Sequence, residues 1–232
     1  MPAPAVAKGK LIAVSGIDGS GKTVQTRLLV DRLKREGCRV SAVSFPRYGK
    51  GIFVELVQDY LAGAFGESAG SVPPRFAALA FAGDRLEARA ELRRWLSAGR
   101  VVVANRYVSS NMAHQGAKIA RRADRAAFYE WVAELEYDVL GLPRPDREVF
   151  LDVPPRLSVQ LVEQRGSGDI HEKDAAHLRA AARNYGELAG KLPGWKRIGC
   201  TRSGRLLGPE AIAARVWRAV EPVVVGLKHP AD

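Results

Sequence analysis

The stretch KLIAVSGIDGSGKTVQT, residues 10–26, limits what this chain can fold into more than any other. It opens with an apolar run, Leu11 to Val14, long enough for one buried strand. A glycine-rich turn follows, and then a helix-like stretch from Val24 to Arg35. Gly16, Gly21, Lys22 and Thr23 satisfy G-x-x-x-x-G-K-S/T, with Gly19 as an additional glycine. The glycines are needed because the backbone must curl with its N–H groups pointing inward, partly at positive φ. The helix behind the turn adds the positive end of its dipole. The segment is therefore expected to cradle the phosphates of ATP with Gly16, Asp18, Gly19, Ser20, Gly21, Lys22 and Thr23. Lys22 would reach the β- and γ-phosphates, and the Thr23 hydroxyl would hold Mg²⁺. The glycine order G-x-x-G-x-G excludes a dinucleotide fingerprint.

With 232 residues, 47% of them hydrophobic, the chain can bury a sizeable core, and it is expected to form a single domain spanning 1–232. The formal net charge of +11 suits phosphate-rich partners. The arginines are scattered along amphipathic stretches, which argues against nucleic acid as the primary partner. Cys38 and Cys200 stand far apart and outside any C-x-x-C, so neither a disulfide framework nor a zinc site is expected. The first nine residues read as a short tail without the apolar core of a signal peptide, and no stretch has the ~20 apolar residues of a membrane helix. A reducing cytoplasm is the expected setting.

Apolar strands and helices alternate along the chain. Further strands are expected at Arg39–Ser44, Val101–Ala104, Glu148–Val153 and Trp195–Cys200. Helices are expected at Ile52–Leu61, from Pro74 to about Ser97, over 121–140, from Pro154 to about Gln164, at Ala175–Ala189 and from Pro209. This alternation means a five-stranded parallel sheet with helices on both faces, an α/β fold of the three-layer P-loop type. Residues 165–174, RGSGDIHEKD, read as a short flexible segment between two helices. Ligands bind such sheets at the carboxyl ends of the strands. Those ends carry Gly16–Thr23, Phe45–Tyr48, Asn105–Tyr107 and, beyond the fourth strand and its helix, Arg165–Asp174.

From about Lys10 to Trp195 the chain resembles the thymidylate kinases. GIDGSGKT, FPRYG, FAGDR (Phe81 to Arg85) and RYVSSNMAHQ (Arg106 to Gln115) match in order, and DIHEKD (169–174) resembles the short lid of the bacterial enzymes. The resemblance implies transfer of the ATP γ-phosphoryl group to dTMP, with Mg²⁺, in a homodimer. The acceptor is a phosphate oxygen that is already anionic, so arginines and a cation are the tools expected, not a general base. The family places the equivalent of Asp18 at the dTMP 3′-hydroxyl and near the metal. It places Arg47 and Arg106 on the acceptor phosphate, Phe45 and Tyr48 by the sugar, Phe81 against thymine and Arg85 at its O4. Ser110 and Asn111 would serve the N3/O4 edge, with Gln115 on the same helix. His114 stands where relatives carry an aromatic that crowds a ribose 2′-hydroxyl. Taken alone it reads as a polar helix residue with no metal-ligating partner nearby. In the lid, Arg165 would bring charge to the γ-phosphoryl group, and Asp169 and Glu172 match acidic lid residues.

Two positions depart from the family pattern. Asn105 stands where an Asp usually helps to hold the Mg²⁺ shell, and Ser15 where relatives often have Glu. Three other readings remain open on the sequence. These are a deoxynucleoside kinase, a kinase of another nucleoside monophosphate, and a weakened homologue that binds nucleotides. Against the first, Arg47 follows the second strand where a hydroxyl acceptor would need a carboxylate base.

Overall fold

A computed structural model describes residues 8–66, 68, 70–163, 171 and 174–227. Arg165, Asp169 and Glu172 lie outside them. β1 (Lys10–Ser15) leads through the glycine-rich turn into α1 (Lys22–Arg35) and β2 (Val40–Ser44). α2 (Phe53–Ala62) and the long α3 (Pro74–Ser97) precede β3 (Val101–Asn105). α4 (Val108–Gly116) and α5 (Arg122–Ala133) precede β4 (Arg147–Asp152). α6 (Pro155–Glu163) and α7 (Ala175–Lys191) lead to β5 (Trp195–Gly199), and α8 (Pro209–Val224) follows a small hairpin.

The five strands form one parallel sheet in the order β2-β3-β1-β4-β5. Side chains alternate across a strand, so each strand feeds two cores. Leu11, Ala13, Val102, Ala104 and Phe150 join one cluster with Leu92 of α3, Met112 of α4 and Tyr185 of α7. Ile12, Val14, Val101, Val103, Val149 and Leu151 join the other, under Leu29 and Leu33 of α1 and Val216 and Val220 of α8. Burial on both faces is why these strands read as unbroken apolar runs. The central position of β1 sets its loop at the middle of the sheet's carboxyl edge, between the ends of β3 and β4.

Two elements differ from the sequence reading. The helix expected over 121–140 is α-helical only to Ala133; Glu134–Val139 is a π-helical turn, with the Leu140 amide donating to the Leu135 carbonyl at 2.8 Å. The strand expected to reach Cys200 stops at Gly199, and β6 (Thr201–Arg202) pairs with β7 (Arg205–Leu206) in a hairpin. Ser203 and Gly204 at its tip have φ of 50° and 74°, as a primed two-residue turn requires. Strands of two residues are too short to show any period, so the hairpin had no patterning signal.

Candidate active site

The loop after β1 forms a tight cradle. A Cβ on Gly19 would stand 2.5 Å from the Ser158 carbonyl oxygen, and one on Gly16 would stand 3.0 Å from that of Leu151. Both residues also have positive φ, 76° and 151°. α1 then starts from Gly21 with no side-chain cap, so no side chain takes up its first N–H groups. The Lys22 ammonium donates to the Ile17 carbonyl at 2.8 Å and lies 3.8 Å from Asp18 Oδ1. Ser158 donates to the Asp18 carbonyl, which ties α6 to the loop.

The end of β2 supplies Phe45 and, just beyond it, Tyr48. Arg47 between them is turned toward α3. Its backbone N–H and Nε donate to the two Asp84 carboxylate oxygens, both at 3.0 Å, and a terminal nitrogen donates to Glu87 at 3.0 Å. Burial raises the Asp84 carboxyl above its ordinary range, against the pull of Arg47. Neither acid was singled out in the sequence, where both look like the solvated face of a helix.

α3 and α4 form a wall. Arg85 is fully buried and makes a two-bond fork with Glu136, at 2.5 and 2.7 Å. Asn111 donates from Nδ2 to Glu136 at 2.9 Å and to the Ala78 carbonyl at 3.0 Å. Its Oδ1 is buried without a partner among the described residues. Two acceptors on one amide nitrogen fix which way that amide faces. Gln115 Oε1 is likewise buried and unsatisfied, and Ser110 Oγ accepts from Tyr185 at 3.0 Å. Glu136 reaches this wall because the π-helical turn rotates it inward.

The end of β3 contributes Asn105 and Arg106. Arg106 has a left-handed backbone, φ 66°, a conformation that a non-glycine residue keeps only when its surroundings hold it. Its guanidinium pairs with Asp18 and donates to His114 Nε2 at 3.2 Å. Burial opposes the Asp18 charge, but Arg106 and Lys22 outweigh it and hold the carboxyl below its usual range. Asn105 Nδ2 lies 3.1 Å from Ser44 Oγ and 3.5 Å from Thr23 Oγ1, and its Oδ1 is buried without a partner among the described residues.

His114 is not the isolated polar residue that its sequence surroundings suggest. His171 stacks on it with ring centroids 5.6 Å apart, and His177 lies 4.4 Å from His171 by the same measure. Both partners are distant in sequence and are brought in by the fold. Burial pushes all three imidazoles below their ordinary range, His177 to about 4.

These residues surround one cavity of about 960 Å³. Of the expected site residues that are described, all but Gly16 and Arg47 line it. Gly16 shapes the loop from behind. Arg47 is kept off the wall by its ties to Asp84 and Glu87. Beside α1 the cavity has an apolar end, made by Leu161, Leu206, Leu207 and Pro209, which the sequence reading did not find.

A parallel sheet of this order, with a glycine cradle at the carboxyl end of its central strand and a lysine and a hydroxyl opening the next helix, defines a P-loop nucleotide-binding protein. The family model for thymidylate kinase matches residues 14–203. A thymidylate kinase of Mycobacterium tuberculosis is 34% identical over 191 residues, covering 80% of this chain and 87% of that one. One of Thermomicrobium roseum is 30% identical over 219 residues, covering 92% and 95%. The solved thymidylate kinase of Candida albicans superposes with a TM-score of 0.71 at 20% identity, covering 93% and 92%, a likeness of fold. The chain belongs to the thymidylate kinase family.

Proposed function

We propose that this chain transfers the γ-phosphoryl group of ATP to dTMP, giving dTDP and ADP, with the described residues acting as one catalytic unit. The observation that carries the choice of acceptor is the wall of Arg85, Asn111 and Glu136. Glu136 takes hydrogens from both other side chains, so Asn111 presents an acceptor oxygen to the cavity and Arg85 stands beside it as a donor. A thymine offers the complement, an N3–H donor next to the O4 acceptor. Cytosine has an unprotonated N3 and an amino group at those positions, and would leave the buried Asn111 oxygen unpaired. A site built to hydrogen-bond rejects such an analogue by far more than a methyl group can.

The triphosphate is assigned to the cradle and Lys22, and adenine to the apolar end beside Leu206 and Leu207. Asp18 uses Oδ1 for both Lys22 and Arg106, and Oδ2 is the oxygen we assign to the dTMP sugar or the metal. Arg106 lies in the cavity wall as one clamp on the acceptor phosphate, and Arg47 is the second, once it swings from Glu87. Phe81, edge-on to Tyr60 at 6.0 Å, offers a face to the base, and Phe45 and Tyr48 border the sugar. Arg165 and Glu172 keep the lid roles that the resemblance implies. No general base is required, because the attacking oxygen already carries charge; positioning and positive potential make up the catalysis.

The residues fit a hard divalent cation. The buried Asn105 Oδ1 and the Thr23 hydroxyl are neutral oxygen donors of the kind Mg²⁺ takes, together with water and phosphate. When bound, Mg²⁺ neutralises charge on the transferring group. Asn105 donates from Nδ2 to Ser44 and Thr23, which places its amide beside the Thr23 hydroxyl.

Homodimerisation is proposed through α2 and α3, which pack together and leave Ile52, Leu56, Phe76 and Leu79 exposed. A purely monomeric protein in sedimentation at micromolar concentration would rule this out. Among the described residues no helix is long and apolar enough to cross a membrane. Cys38 and Cys200 are both buried thiols, which supports a reducing, cytoplasmic setting.

The test is ADP release across dTMP, dUMP, dCMP, dGMP and thymidine. Preference for dTMP and dUMP over dCMP is expected, with thymidine inert. Turnover of thymidine or of dCMP at the dTMP rate would overturn the reading.

A further inference from the structure

His114, His171 and His177 place one ring nitrogen each within 4.8 Å of the other two, and all three are buried. Two of their nitrogens, His114 Nδ1 and His177 Nε2, are buried with no hydrogen-bond partner among the described residues. Three imidazoles that share a buried corner and leave nitrogens unsatisfied are costly unless something fills the corner. We propose that they form a site for Zn²⁺ or a similar borderline divalent cation, set in the wall of the acceptor pocket, and that its occupation loosens Arg106.

The ligand set decides the class of metal. Neutral imidazoles suit zinc, copper and nickel, whereas Mg²⁺ and Ca²⁺ prefer oxygen. Zinc–nitrogen bonds of about 2.0–2.1 Å at tetrahedral angles put ligand nitrogens about 3.4 Å apart. The cluster therefore closes by roughly an ångström as it fills. Three protein ligands leave the fourth position to water.

The nitrogens facing away from the corner distinguish the three rings. A ligating imidazole usually keeps its second nitrogen in a hydrogen bond. His171 Nε2 is 2.7 Å from the Tyr60 hydroxyl, which can accept, so His171 meets that condition as it stands. His114 does not. Its Nε2 faces Arg106, and a guanidinium only donates, so in the empty site Nε2 carries the lone pair and Nδ1 the proton. If His114 ligates through Nδ1, that proton moves to Nε2, with no net release, and two donors then face each other. If it ligates through Nε2, the metal takes the place of Arg106. Either way Arg106 loses its His114 acceptor, although it keeps Asp18. By linkage, metal and acceptor phosphate then weaken each other's binding by one common factor. Metal binding stands independently of the kinase reading; only the coupling to dTMP rests on it.

The experiment uses the full chain, freed of metal and without ATP. Titration with Co²⁺ is expected to give the intense visible absorption of a tetrahedral nitrogen site. ZnCl₂ is expected to displace that signal at one equivalent per chain, and millimolar Mg²⁺ to leave it unchanged. His177→Gln lies outside the cavity wall and should abolish the signal while dTMP affinity stays at the wild-type value. His171→Gln should abolish it as well, which covers the case in which one variant fails to fold by circular dichroism. Calorimetric dTMP binding should weaken about fivefold or more when one equivalent of Zn²⁺ is present. No tetrahedral spectrum in the wild type, or wild-type metal binding by either folded variant, would overturn the site. Unchanged dTMP affinity in the zinc-loaded protein would overturn the link to Arg106.

Discussion

Glu136 holds Arg85 in a buried two-bond fork, Nε to Oε2 at 2.5 Å and a terminal nitrogen to Oε1 at 2.7 Å, and the same Oε1 accepts from Asn111 at 2.9 Å. One carboxylate thus neutralises one side chain and orients the other. Glu136→Gln should leave a buried cation without its counter-charge and give the Asn111 amide an alternative orientation. The expected cost is about 3–5 kcal/mol of stability, the usual size for breaking a buried pair. Preference for dTMP over dCMP should shrink alongside. Denaturant unfolding and paired KM measurements check both; an unaltered base preference in the folded variant would remove Glu136 from recognition.

Arg47 tests the acceptor-phosphate assignment. Arg47→Ala should lower kcat/KM for dTMP by about 100-fold, equivalent to ~2.7 kcal/mol at the transition state. ATP should still bind, since the cradle is untouched. The loss should appear chiefly with dTMP as the varied substrate. Normal dTMP turnover by the variant would show that Arg47 serves only to hold Asp84.

Asn105 tests the metal assignment. Asn105→Asp adds a negative charge beside Thr23 and keeps the side-chain shape. Apparent Mg²⁺ affinity should rise about tenfold, which corresponds to ~1.4 kcal/mol, and activity at limiting Mg²⁺ should rise with it. An identical Mg²⁺ titration curve for the two proteins would contradict a metal role here.

Glu148 gives a pH prediction. It is buried beneath the cradle, accepts from Ser15 and from Ser109, and burial raises its carboxyl to about 7 despite those bonds. Its folded value therefore lies above its unfolded one. The protonated form favours folding, so its contribution is full below pH 4.5 and is lost as pH rises through 7. The buried histidines work in the opposite sense, losing stability as pH falls below 6.5. Comparison with Glu148→Gln isolates the carboxyl. The stability difference between variant and wild type should grow by about 3 kcal/mol from pH 4.5 to 8, in favour of the variant. Parallel curves would show that Glu148 keeps an ordinary carboxyl.

What the sequence made legible was whatever repeats or sits in a fixed local pattern. The unbroken apolar runs around Ile12 and Val102 announced strands covered on both faces, and the spacing from Gly16 to Thr23 announced the cradle. Phe81, Asn111 and Arg106 were found through ordered motifs. Glu136 escaped because ELEYDV has the charge of a solvated helix face, and only the change of helical pitch turns it inward. Asp84 and Glu87 escaped because charged positions on a helix read as its solvated face. The cluster of His114, His171 and His177 escaped because one assembled from three separate elements leaves no spacing to read.

The wider pitch at Glu134–Val139 has an evolutionary corollary. A π-helical turn amounts to one residue inserted into an α-helix. Losing Glu134 or Leu135 would let the ordinary ladder re-form and swing the following side chains, Glu136 among them, by about 100°. Glu136 would then leave its partners, although every residue named in the pocket would still be present. Drift in substrate choice among descendants of this chain is thus reachable through a length change remote from the phosphates, which a position-by-position substitution scan would never sample.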